Sequence, residues 1–172
     1  TPASAGITDE EYALFSAHGM DVPYDAGVDP DFSRVAAIWA ASYEERNAIH
    51  LDGVISITPS VVQDILAIVG PITLADGTVL DGSNATRVLQ HDIYWKYLSN
   101  GADPEGTGLA VTDALFAQAA HETFNKLFEN LNSATMIKFA SCMAQNMENR
   151  TVMFWLTDTG EQAMLASLGC SG

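Results

Sequence analysis

Few side chains in this 172-residue sequence stand in patterns that could do chemistry, and each of those has a structural use as well. His121-Glu122 opens the zinc-protease helix pattern, which requires a second His four residues after the first to reach the same metal. Position 125 is Asn, so the pattern fails. His91-Asp92 is a lone pair without the further ligands that a binuclear phosphohydrolase site needs. The sequence carries no Gly-x-Gly-x-x-Gly, no phosphate-binding loop ending in Lys and no Gly-x-Ser-x-Gly elbow. The usual signatures of nucleotide binding and serine hydrolysis are therefore missing.

Carboxylates recur where elements should end, at Asp29, Asp31, Asp52, Asp81, Asp92 and Asp158. Aspartate at such places caps helices and forms turns. If two or three of them converged with His50 or His91, they would offer oxygen ligands to a hard cation such as Mg²⁺, with Asp52 and Asp92 the metal candidates. No other cofactor is evident. Basic groups are the scarcest, seven in all. Arg34, Arg46, Arg87, Lys96 and Arg150 are the groups that could hold an anionic ligand; the alternative is a set of surface ion pairs of small worth. Arg34, His91 and Lys96 are the ligand-binding candidates. Tyr94-Trp95-Lys96-Tyr97 gathers aromatic faces that could line a groove for an apolar or sugar ligand, or pack as core and rim.

The elements that must position these groups follow from caps and periodicity. Thr8-Asp-Glu-Glu11 has capping-box spacing and predicts a short helix to about His18, followed by a loop over 19–27. Asp29 and Pro30 predict the start of a second helix whose stripe is Phe32, Val35, Ala36, Trp39 and Tyr43. Asp52 to Thr58 reads as a strand buried on both faces, in a central position. Thr58 and Pro59 then start a helix with Val62, Ile65, Leu66 and Val69 on one face, stopped by Gly70-Pro71. Ile72-Leu74 and Thr78-Leu80 flank an Asp-Gly hairpin signal. Ser83 should cap a helix through Tyr94, before a loop over 99–108. Helices over 111–128 and 134–147, a strand over 151–156 and a last helix over 159–168 complete the chain. The expected fold is α/β, a layered sandwich with a small mixed sheet flanked by helices.

Composition bounds the rest. A single domain over 1–172 is expected, with an N-terminal helix and loop over 1–28 and a core over 29–172. The net charge of −15 repels nucleic acid and anionic lipid. There is no apolar run long enough to span a bilayer and no leader pattern. The ends of the sequence, Thr1-Pro2 and Gly169-Cys-Ser-Gly172, suggest a piece of a longer protein truncated on its N-terminal side. Cys142 and Cys170 fit either reduced core thiols or one disulfide.

Three stretches carry a resemblance: Asp29-Pro-Asp-Phe32, Asp52-Gly-Val-Ile-Ser-Ile-Thr-Pro59 and Ile68-Val-Gly-Pro-Ile-Thr-Leu74. With Asn84, His91-Asp92-Ile-Tyr94, Phe154-Trp155, Glu161-Gln162 and Leu168-Gly169, they resemble in order and spacing the family called domain of unknown function 4012, from about Asp21 onward. That resemblance implies an envelope protein of Gram-positive bacteria, extracytoplasmic and membrane-anchored at full length. The stretch from Asp52 to Asn84 is also similar to the LytR-CpsA-Psr ligases, through Gly70-Pro-Ile72 and Leu80-Asp-Gly82. Those ligases move polymers from a polyprenyl pyrophosphate to the cell wall, using arginines and a divalent cation. This chain lacks the Arg-x-Arg pair after Leu-Asp-Gly, carrying His91, Asp92 and Tyr94 in that neighbourhood. The expectation is thus a binding or structural envelope domain whose partner is a cell-wall polymer, a polyprenyl phosphate or another envelope protein. The alternative is a Mg²⁺-dependent phosphotransferase or hydrolase on polyprenyl-linked glycopolymers, with Asp31, Asp92 and Tyr94 near the reacting phosphate.

Overall fold

A computed structural model describes residues 6–15, 23–99 and 106–169. They form two compact units, one from the described parts of 1–56 and 147–172, the other from 57–146.

In the first unit, α1 (Asp9–Phe15) opens on the expected capping box: the Glu11 carboxylate accepts the Thr8 amide at 2.8 Å, and the Thr8 hydroxyl accepts the Glu11 amide at 3.1 Å. The stretch from His18 to Asp21 lies outside the described residues, and a 3₁₀ turn covers Pro23–Val28. Helix α2 (Phe32–Asn47) starts two residues later than Asp29 suggests. Asp31 is the cap because its carboxylate reaches the free amides of Ser33 and Arg34, while Asp29 instead accepts the amide of Asp31. Val35 and Ile38 bury with Ala26, and Trp39 packs against them. Tyr43, expected on the same stripe, is half exposed.

Strand β1 (Gly53–Ile57) pairs with the late strand β4 (Val152–Leu156), and α8 (Thr159–Ser167) packs on β4 behind its Asp158 cap. The start of β1 lies against the end of β4, where the Thr157 amide donates to the Asp52 carbonyl at 2.9 Å. Gly53 is required there, since a Cβ would strike the Trp155 carbonyl. The expectation of a central strand buried on both faces is corrected: β1 pairs only with β4 among the described residues, and Ile55 is 61% exposed. A β-branched run specifies extended backbone, but tertiary partners decide which faces are covered.

In the second unit, α3 (Pro59–Val69) follows its sequence signals closely, with Pro59 in the first turn, Val62, Ile65 and Leu66 buried, and Gly70 ending it. The hairpin β2 (Ile72–Thr73) and β3 (Val79–Leu80) is antiparallel, Ile72 opposite Leu80 and Thr73 opposite Val79. Asp81 then ties the next turn, accepting the amides of Ser83 and Asn84, and the helix starts after Asn84 rather than at a Ser83 cap. That helix is interrupted. Between α4 (Ala85–Arg87) and α5 (Ile93–Leu98) the residues Val88–Asp92 form a π turn. Helices α6 (Gly108–Glu129) and α7 (Ser133–Glu148) match their predicted spans to within about three residues. The core joins Val62 and Leu66 of α3 to Ile72, Leu74 and Leu80 of the hairpin, Leu89 and Ile93, and Leu115 and Ala119 of α6.

The α/β class therefore stands, with the strands among the described residues in two separate two-stranded sheets.

Candidate functional site

The second unit contains an apolar groove of about 370 Å³. Ile57, Thr58, Pro59 and Val62 form one wall, Leu89, Gln90 and Tyr94 another, and Phe116, Ala119 and Ala120 of α6 the third. That volume is at the low end of small-molecule sites. Each wall has a sequence cause. Thr58-Pro59 ends β1 and starts α3 at one place, so the strand end and the helix start share the groove. On α6 the alanines are small, which leaves space beneath the Tyr94 ring that leans on Phe116, centroids 5.4 Å apart and planes 48° apart. The π turn widens the helix at Leu89 and Gln90, and such turns are enriched at functional sites. The polar residues of the lining are Thr58, Gln90 and Tyr94. The Thr58 and Ser60 hydroxyls share a hydrogen bond at 2.7 Å, so Thr58 does not cap α3 with its side chain.

On the next stripe of the same helix, His91 Nδ1 lies 2.9 Å from Asp92 Oδ1, and Arg87 donates to Asp92 Oδ2. The hydrogen bond from His91, then the Arg87 charge, hold the Asp92 carboxyl below the ordinary range. The structure thus brings four sequence candidates, Arg87, His91, Asp92 and Tyr94, onto one helix around the π turn.

Lys96 is used elsewhere: its ammonium donates at 2.8 Å to Asp76 at the hairpin tip, where Tyr97 Oη donates at 2.7 Å and Thr78 gives both amide and hydroxyl. Burial pushes the Asp76 pKa up, but Lys96, Thr78 and Tyr97 together outweigh it and hold the carboxyl far below its usual range. In the first unit, Arg34 forks onto Glu11, Nε to Oε1 at 2.5 Å and Nη2 to Oε2 at 2.9 Å, and also donates to the Gly6 carbonyl. Asp31 is occupied as the α2 cap, and Asp52 is exposed beside the Thr157 turn. Among the described residues no three His, Cys, Asp or Glu side chains lie close enough to hold a metal ion. Cys142 sits on α7, where burial and then Asp64 raise its thiol pKa; its bonding to Cys170 falls outside the described residues.

The model of a family described as "Protein of unknown function (DUF4012)" matches residues 1–94. The chain belongs to the DUF4012 family. The match ends at Tyr94, so it takes in two walls of the groove, while the α6 wall and the Phe154-Trp155 and Glu161-Gln162 stretches lie beyond it. No curated protein and no solved structure matches the chain. No helix among the described residues is long and apolar enough to cross a membrane.

Sequence reasoning missed Asp76, read only as half of an Asp-Gly turn, because its partners stand about twenty residues away. Phe116, Ala119 and Ala120 were missed for a related reason: helical periodicity marks them as an inward face without telling core from groove.

Proposed function

We propose that this chain is a ligand-binding rather than catalytic domain of an extracytoplasmic cell-envelope protein, and that the groove of its second unit receives the apolar chain of a polyprenyl phosphate. One observation carries the reading: the groove is walled by apolar side chains, while Asp31 is engaged as a helix cap and Arg34, Asp92 and Lys96 in ion pairs. The envelope location rests on the resemblance of the sequence to extracytoplasmic family members. A short-chain prenyl phosphate titrated into the full chain should raise its melting temperature, because a ligand that binds only the folded state stabilises it by mass action. Ala120→Trp, which fills the groove from its half-buried rim, should remove that shift. A wild-type chain without a shift, or an Ala120→Trp chain that shifts equally, would sink the reading.

A Mg²⁺-dependent phosphotransferase or hydrolase acting on polyprenyl-linked glycopolymers has one observation in its favour. The His91–Asp92 hydrogen bond leaves Nε2 of an exposed imidazole available for proton transfer on the helix that lines the groove. Release of prenyl monophosphate from a prenyl pyrophosphoryl sugar in Mg²⁺, lost in Asp92→Asn, would favour this second reading over the first.

A further inference from the structure

His91 and Trp95, one turn apart, hold their rings 4° from parallel with centroids 6.2 Å apart, and both face solvent, the indole at 65% exposure. Beside them Asp92 accepts from both Arg87 and His91, which fixes a guanidinium, an imidazole and a carboxylate along one edge of this flat aromatic ledge. None of these four side chains lines the apolar groove or joins either buried core cluster, so the ledge is spare to folding.

We propose that the ledge is a binding site for an uncharged glycan, the C–H face of one sugar ring lying on Trp95 while its hydroxyls meet the Arg87–Asp92 edge. A pyranose presents an apolar face and a rim of hydroxyls. The exposed indole supplies contact area for the first. Asp92 accepts from hydroxyls and Arg87 donates to them, so the pair covers both roles of the second. Nucleobases would stack on the same indole, but a chain of net charge −15 repels a phosphate backbone. The same charge rejects polyanionic glycans. Lys96, the next cation along the helix, turns away to Asp76 and adds no positive charge to the ledge.

The chain has three tryptophans, so its indole N–H resonances resolve the site directly, with Trp95 assigned by its loss in Trp95→Phe. The full chain is titrated with uncharged oligosaccharides of glucose, mannose, galactose and N-acetylglucosamine, with dextran sulfate as the polyanion. At least one uncharged oligosaccharide should move the Trp95 indole and saturate by about 10 mM. Read by isothermal titration calorimetry, since the first variant has no indole at 95, Trp95→Ala should weaken that binding about ten-fold or more, and Arg87→Gln by a smaller factor. Ala120→Trp, which blocks the groove, should leave it unchanged. The proposal is overturned if no uncharged oligosaccharide moves the resonance, if Trp95→Ala binds as the parent does, or if dextran sulfate binds as well as the sugars.

Discussion

A hairpin whose strands are two residues each has almost no ladder, so the Asp76 side chain adds to the two backbone hydrogen bonds, Leu74 to Thr78 and Gly77 to Leu74, that close the tip. Four donor groups converge on a carboxylate that is mostly buried, and its folded pKa is depressed. The sign follows: a depressed carboxylate stabilises the fold fully above its unfolded pKa of about 4, and that contribution fades as pH falls toward the folded value. Asp76→Asn should therefore cost about 1–3 kcal/mol in urea melts at pH 7 and at pH 5. At pH 3 the gap between variant and parent should be visibly smaller; an equal gap at all three would show that the charge is not what counts. Arg34 does similar work for α1, which has no buried residue of its own. Arg34→Lys keeps the charge and loses the fork onto Glu11, so amide exchange over residues 9–15 should accelerate while that over α2 does not.

Elements show where local signals suffice. Gly82 and Gly77 both follow Asp in turn-forming pairs, yet they are glycine for different reasons. A Cβ at Gly82 would stand 2.5 Å from the Ala67 Cα of α3, whereas Gly77 has open space but a φ of +83°. Gly82→Ala should cost about 1–3 kcal/mol through overpacking, and Gly77→Ala about 1 kcal/mol through backbone strain. Adding Ala67→Gly should recover neither loss, read by chemical denaturation, because it removes only a Cβ and leaves the backbone atoms of residue 67 in the way. The capping box at Thr8, the Thr58-Pro59 start, the Gly70 stop and the Asp-Gly hairpin were legible because each is satisfied within a few residues. The π turn at Val88–Asp92 was not, since its residues pass as an ordinary helix and the extra residue is fixed by packing. Site legibility divides the same way. His91, Asp92 and Tyr94 were visible as neighbours in sequence, and Arg87 as one of a few scarce cations, but its pairing with Asp92 was not legible. Asp31 and Arg34 looked chemical because rare charge at an element end looks alike whether it caps or catalyses.

At the scale of the molecule, the two units differ in how the chain builds them. Residues 57–146 run without interruption and hold a core joining α3, the hairpin, the interrupted helix and α6. The other unit is assembled from both ends of the chain, and β1 finds its partner β4 about a hundred residues later. Closing a long loop costs entropy before the pairing returns anything, and a strand without its partner has unpaired backbone to satisfy. The segment 57–146 expressed alone should accordingly melt as one cooperative transition with helical circular dichroism, and the segment 1–56 alone should not. The groove lies wholly within 57–146, so the isolated segment should also keep the prenyl phosphate shift and its loss in Ala120→Trp. A segment that folded cooperatively without that shift, while the full chain retained it, would place the binding surface outside the groove. A segment with no cooperative transition would show that its core depends on the remainder of the chain.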